Sequence, residues 1–163
     1  MRRTITTIGL GAITLVVPGI AGAEERTCRG TIGATTVDNL RVPDGATCTL
    51  NGTRVQGTIK VENEARLKAT DVRVIGNVQA EGHRSVSLKS SHIGGSIQLK
   101  QGGSAAIGRN RVGQDVQLFT NRGTQTVSNN RINGNLQCKE NVPAPTGSGN
   151  VVGGNKEDQC RGL

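Results

Sequence analysis

A 19-residue period runs through most of this chain and restricts its fold more than any other feature. Ile59, Val78, Ile97, Val116 and Leu136 are spaced 19, 19, 19 and 20 apart. The same steps link Val61, Ala80, Leu99, Leu118 and Cys138. They also link Val55, Val74, Ile93, Val112 and Ile132, and Leu50, Ala69, Leu88, Ile107 and Val127. Leu40 and Val42 lie 19 before Ile59 and Val61 and add an earlier turn. The one extra residue falls near Thr120 to Gly123, where Asn121, Arg122 and Gly123 read as a turn. A unit this short cannot bury its apolar face alone; stacked copies bury a continuous core.

Within each repeat the apolar positions alternate. Ile59-Lys60-Val61, Leu67-Lys68-Ala69 and Val72-Arg73-Val74 are apolar-polar-apolar triplets, the period of a strand. Gly, Asn and Ser separate them. Three short strands and three bends in 19 residues make one coil, and coils stack at ~4.8 Å with their inward residues in columns. The pattern predicts an all-β, single-domain parallel β-helix (solenoid) of about six coils of 19–20 residues, roughly 25–30 Å long. A right-handed winding is expected, because 19 is not a multiple of the hexapeptide period of left-handed solenoids. A β-sandwich offers no reason for four columns to share one period. The composition fits a thin core: 33% hydrophobic residues, 24 glycines, one Phe and neither Trp nor Tyr. Missing aromatic faces also weigh against sugar platforms, single-strand nucleic-acid platforms and amine cages.

Arg2 and Arg3, an apolar stretch from Ile5 to Val17, and Ala21-Gly22-Ala23 read as a secretory signal peptide over residues 1–23, cleaved near Ala23. The apolar run is too short for a membrane span. Residues 24–163 are then the β-helix domain, with coils over about 28–160 and a loop insertion at 139–149. The expected location is secreted, extracellular or cell-envelope, with no transmembrane anchor after cleavage. Cys28 and Cys48 are 20 apart and Cys138 and Cys160 are 22 apart, each close to one coil. One-coil neighbours lie within the Cα range of a disulfide. Pairings Cys28–Cys48 and Cys138–Cys160 are therefore expected, one staple at each end of the rod. The spacing lacks the C-x₂-C of a Cys₄ metal site.

The steps Gly76-Asn77-Val78-Gln79 and Gly134-Asn135-Leu136-Gln137 resemble those of right-handed parallel β-helix repeat proteins. The ending, Cys138 to Pro145 and Asn155 to Cys160, is similar to that of small secreted bacterial β-solenoid proteins of unassigned activity. This resemblance covers most of residues 28–160. It implies the fold and no catalytic residue.

Catalytic patterns are sparse. Glu62 and Glu81 are 19 apart and should be neighbours, the spacing of a retaining glycosidase pair, but Lys100 continues their column and gives Glu81 a salt-bridge partner. Asp115 is alone among Thr58, Asn77, Ser96 and Asn135, so no acidic cluster for Ca²⁺ forms there. His83 and His92 read as surface histidines. The glycines match neither a P-loop nor a dinucleotide fingerprint. No cofactor, metal or catalytic residue is expected.

One column stands out. Arg54, Arg73, His92, Arg111 and Arg131 are spaced 19, 19, 19 and 20, and each precedes an inward Val or Ile, so each should point outward. Beside it run Lys60, Gln79, Gln98, Gln117 and Gln137. The chain carries a net charge of +8. The expectation is an exported non-enzymatic protein whose basic stripe binds anionic cell-envelope or extracellular polymers, with no specific nucleic acid. The alternatives are a polysaccharide-active lyase or hydrolase on the same rod and a purely structural, self-associating solenoid. Arginines that fan out and bond the Asn, Gln and Ser of adjacent coils would leave the stripe without a ligand.

Overall fold

The computed structural model describes residues 24–163. The predicted signal segment, 1–23, lies outside the described residues. The chain winds as a parallel β-solenoid of about seven turns, one more than the periodicity predicted, and no helix occurs among the described residues. Three parallel sheets form its faces. The first has eight strands, from Glu25–Thr27 and Asn39–Val42 to Leu136–Lys139 and Lys156–Asp158. The second has six, from Thr31–Ile32 to Gln125–Ser128, and the third has seven two-residue strands, from Thr36–Val37 to Val151–Val152.

The columns read from the sequence are the register of these sheets. Ile59 pairs with Val78, Val78 with Ile97, Ile97 with Val116 and Val116 with Leu136. Leu50, Ala69, Leu88, Ile107 and Val127 stack in the second sheet. Their side chains fill one buried core. The nineteen-residue step becomes twenty where Ala105 pairs with Gln125, beside the Arg122–Gly123 turn. The first coil is the short one: Glu25 pairs with Asn39, only 14 residues on.

Each corner is closed by a different device. Between the second and third sheets each coil after the first bends at a left-handed residue: Gly52, Asp71, Ser90, Arg109, Asn129 and Gly149 all have φ between 52° and 71°. The next residue points inward, and three of these are the buried Asn110, Asn130 and Asn150. Asn130 Oδ1 accepts from the backbone N–H of Asn110 at 2.9 Å, and its Nδ2 donates to the Ile107 carbonyl at 2.9 Å. The corner between the first and second sheets repeats the device with Asn121, Asn141 and Gln159. At the third corner, side chains from Asn39 through Thr58, Asn77, Ser96, Asp115 and Asn135 each accept from the N–H one coil on. Backbone groups that a helix would satisfy internally are thus met by side-chain ladders.

Both disulfides form, Cys28–Cys48 with Cα atoms 5.5 Å apart and Cys138–Cys160 at 5.3 Å. Their geometry differs from the one-column stacking that suggested them. Cys138 stacks on Asp158 and Cys48 on Leu67, while Cys28 lies just past the strand Glu25–Thr27 and Cys160 in the turn after Lys156–Asp158, so neither bridge joins strand register partners. Lys139, the first residue of the expected loop 139–149, still ends the strand Leu136–Lys139; 140–149 forms no strand, yet it does not stand off the rod. Thr146 bridges Thr126, and Asn141 and Asn150 hold their places in the two buried ladders.

The ends of the innermost column of the first sheet are charged. Arg26 stacks on Leu40 at one end and Lys156 on Leu136 at the other. Inward-facing charge at a strand edge discourages the addition of further strands. Arg26→Leu combined with Lys156→Ile is expected to increase end-to-end association, read as faster sedimentation than that of the parent. Identical sedimentation of the variant and the parent would show that the two charges do not guard the ends.

Candidate anion-binding stripe

The five residues singled out in the sequence stand in one line. Arg54 pairs with Arg73, Arg73 with His92, His92 with Arg111 and Arg111 with Arg131, all in the third sheet. The strands are two residues long, with the first residue exposed and the second buried. Val55, Val74, Ile93, Val112 and Ile132 anchor in the core and set the direction of their neighbours. At ~4.8 Å per coil the stripe is roughly 19 Å long.

Among the described residues, ion pairs involve Arg41, Lys60 and Arg84 as the cations. None of the four stripe arginines takes part, and none donates a side-chain hydrogen bond to an adjacent coil. The fanned, internally bonded arrangement is therefore not the one the coils adopt. Asp71 precedes Arg73 by two residues, at the left-handed corner, without closing to ion-pair distance. Arg109 occupies the same corner position two coils on and is exposed beside Arg111. Guanidinium groups aligned this way, with no internal acceptor, repel one another and attract anions.

The glutamine column lies on the first sheet, one corner away from the stripe. It is bonded to itself: Gln79 donates to Gln98, Gln98 to Gln117, Gln117 to Gln137 and Gln137 to Glu157, at 2.9 to 3.1 Å. That ladder spends its amides on structure. A shallow groove of about 740 Å³ beside it is lined by Lys60, Lys100, Glu62, Glu81 and Asp44. Its mixed signs suit a polyanion less well than the stripe does.

Several single-residue expectations are corrected by the geometry. Glu81 and Lys100 are register partners but form no ion pair; Lys100 Nζ sits 5.9 Å from the centre of the Phe119 ring instead. Glu62 is engaged by Arg41 at 3.3 Å and Lys60 at 3.7 Å. The Asp115 carboxylate accepts from the Asn135 N–H at 2.7 Å, a corner rung rather than a stray acid. His92 is exposed, as expected, but His83 is 1% exposed. It occupies the inward corner position that Asn121 and Asn141 fill in later coils. Gly102, one coil on, lacks the side chain that would meet its ring. Neither ring nitrogen of His83 has a hydrogen-bond partner, and burial lowers its pKa from 6.5 to about 4. No group of three or more His, Cys, Asp or Glu side chains that could hold a metal ion occurs among the described residues.

The sequence reading missed the buried asparagine ladders. Their signal was present as the 20-residue spacing of Asn110, Asn130 and Asn150 and of Asn121 and Asn141. It is hidden because asparagine normally marks an exposed turn.

The fold and its corners define a three-faced parallel β-solenoid with an arginine stripe on one face. No protein-family model, curated protein or solved structure matches the chain.

Proposed function

We propose that this is an exported, non-enzymatic β-solenoid protein of the cell surface or extracellular space that binds anionic polymers through the stripe formed by Arg54, Arg73, His92, Arg111 and Arg131. The proposal takes in a signal segment over residues 1–23 and kinship with small secreted bacterial solenoids. Its main support is that four arginines stand in register with, among the described residues, neither an acidic partner nor an internal acceptor. Two disulfides and the lack of a helix long and apolar enough to cross a membrane, among the described residues, agree with that location. Binding would combine several exposed charge-assisted contacts, each individually weak. Among the described residues no ion-pair-free pair of carboxylates stands along the stripe, which argues for retention of a polymer rather than its cleavage.

The test is retention of the mature protein on immobilised anionic and neutral polymers at two salt concentrations. Capture by the anionic polymers, lost as salt rises from about 0.05 to 0.5 M, is expected, because exposed charges are screened over a few ångströms at the higher value. Salt-independent capture, or equal capture by neutral polymers, would refute the proposal.

A further inference from the structure

The surroundings of the stripe restrict the polymer it would take. We propose that the ligand is a single, extended, carboxylate-bearing polysaccharide chain lying parallel to the solenoid axis, rather than a duplex or a compact polyanion. This inference rests on the polyanion reading given above.

Three observations carry it. First, the positive strip is narrow, one side chain wide except where Arg109 flanks Arg111. Each strand of the third sheet offers one outward residue, and the neighbouring first sheet presents the neutral, self-bonded glutamines. A duplex carries charge on two strands around a broad cylinder and needs a wider basic surface than this. Second, the corner beside the stripe is low in its middle coils, between the side chains of Gln56 and Ile75 at one end and Asn133 at the other. Gly94, Gly113 and Gly153 follow the stripe column by two residues, and Gly76, Gly95, Gly134 and Gly154 come next. A Cβ at Gly94 or Gly153 would come within 2.5 Å of a carbonyl oxygen on the preceding coil, and one at Gly113 would come closer still. The stacking thus keeps the position two residues beyond His92 and Arg111 free of side chains, while Ile75, 46% exposed, occupies it beside Arg73. Third, exposed Gln56 and Asn133 stand in the column of Gly94 and Gly113, with Gln114, whose Oε1 accepts from Ser96 Oγ at 3.3 Å, beside them. Their amides can both donate to and accept from hydroxyl groups, as a sugar requires and a bare phosphate chain does not. The guanidinium fork matches a carboxylate in two parallel bonds. Phe119 lies on the first sheet with Lys100 over it, so neither a base nor a sugar ring stacks on the stripe, and the polysaccharide would be held by its carboxylates and hydroxyls.

Oligouronates of graded length serve as the probe, measured by calorimetry at low salt. Carboxyl-reduced oligosaccharides and duplex DNA of equal total charge are the comparisons. Affinity is expected to rise steeply until the oligomer spans the stripe, roughly 19 Å, and slowly beyond it. The reduced oligomers should not bind, and the duplex should bind roughly tenfold more weakly than the spanning oligouronate. Gln56→Ala with Asn133→Ala should weaken the oligouronate several-fold and leave inorganic polyphosphate binding unchanged. Duplex binding as tight as that of the oligouronate, or loss of both ligands in the amide variant, would overturn the single-chain polysaccharide assignment. If Arg73, Arg111 and Arg131→Gln then abolishes duplex and oligouronate binding alike, the polyanion stripe still stands. If no anionic probe binds the parent protein, both readings fall.

Discussion

Asn130→Ala should destabilise the protein by roughly 3–5 kcal/mol, lowering its melting temperature by about 10–15 °C. The amide is buried and makes four bonds. It accepts from the Asn110 N–H and Asn110 Nδ2, and it donates to the Ile107 carbonyl and Asn150 Oδ1. Alanine leaves those groups without partners where water cannot reach them, which costs more than the bonds themselves contribute. It also leaves a void between two coils. Asn130→Asp keeps the acceptor and loses the donor, so it too should be strongly destabilising. Asn133→Ala, three residues away and exposed, is expected to stay within about 0.5 kcal/mol of the parent. Thermal unfolding followed by circular dichroism checks all three. Equal melting temperatures for Asn130→Ala and Asn133→Ala would mean that the ladder carries no stability.

Acidification below pH 6.5 should cost the protein up to roughly 3 kcal/mol through His83 alone. The imidazole is buried with neither nitrogen bonded, and desolvation holds its pKa at about 4 against 6.5 in the unfolded chain. Between those values the unfolded state binds the proton and the folded state does not. Stability therefore rises with pH across the window, is unaffected by this group above pH 6.5, and has lost the whole increment below pH 4. The nearby Arg84–Glu64 pair, at 3.6 Å, is exposed and offers the imidazolium little compensation. Denaturant unfolding between pH 5 and 7 isolates the effect from most carboxylates. His83→Gln should flatten the profile there, and an unchanged slope in that variant would remove His83 from the account.

The columns of apolar residues were legible because stacking forces one inward position to repeat at the coil length, and nothing else in a 140-residue domain does so. The disulfide partners followed from the same length, although neither bridge joins strand register partners. The corners were less legible. Left-handed bends fall on Asp71, Ser90, Arg109 and Asn129 as readily as on glycine, so no single residue type announces them. His83 was misread because a histidine beside a glycine looks like a turn, whereas Gly102, nineteen residues later, is what admits its ring. The arginine stripe was visible in full, since an outward column obeys the same period as its inward neighbour. What the period could not tell was whether those arginines were satisfied within the rod. That depends on side-chain placement across coils, which alternation does not encode.

The most direct test compares two triple variants of equal charge. Arg73, Arg111 and Arg131→Gln empties the stripe. Arg29, Arg122 and Arg161→Gln removes as much charge from exposed positions elsewhere and leaves Arg26 at its column end. Both should fold, because the six positions are exposed. The salt concentration that elutes each from an immobilised polyuronate is then measured against the parent. The stripe variant should elute at markedly lower salt, with a salt dependence shallower by about three ionic contacts, and the second variant close to the parent. Equal shifts in both would show that net charge alone governs retention and that the stripe is not a site.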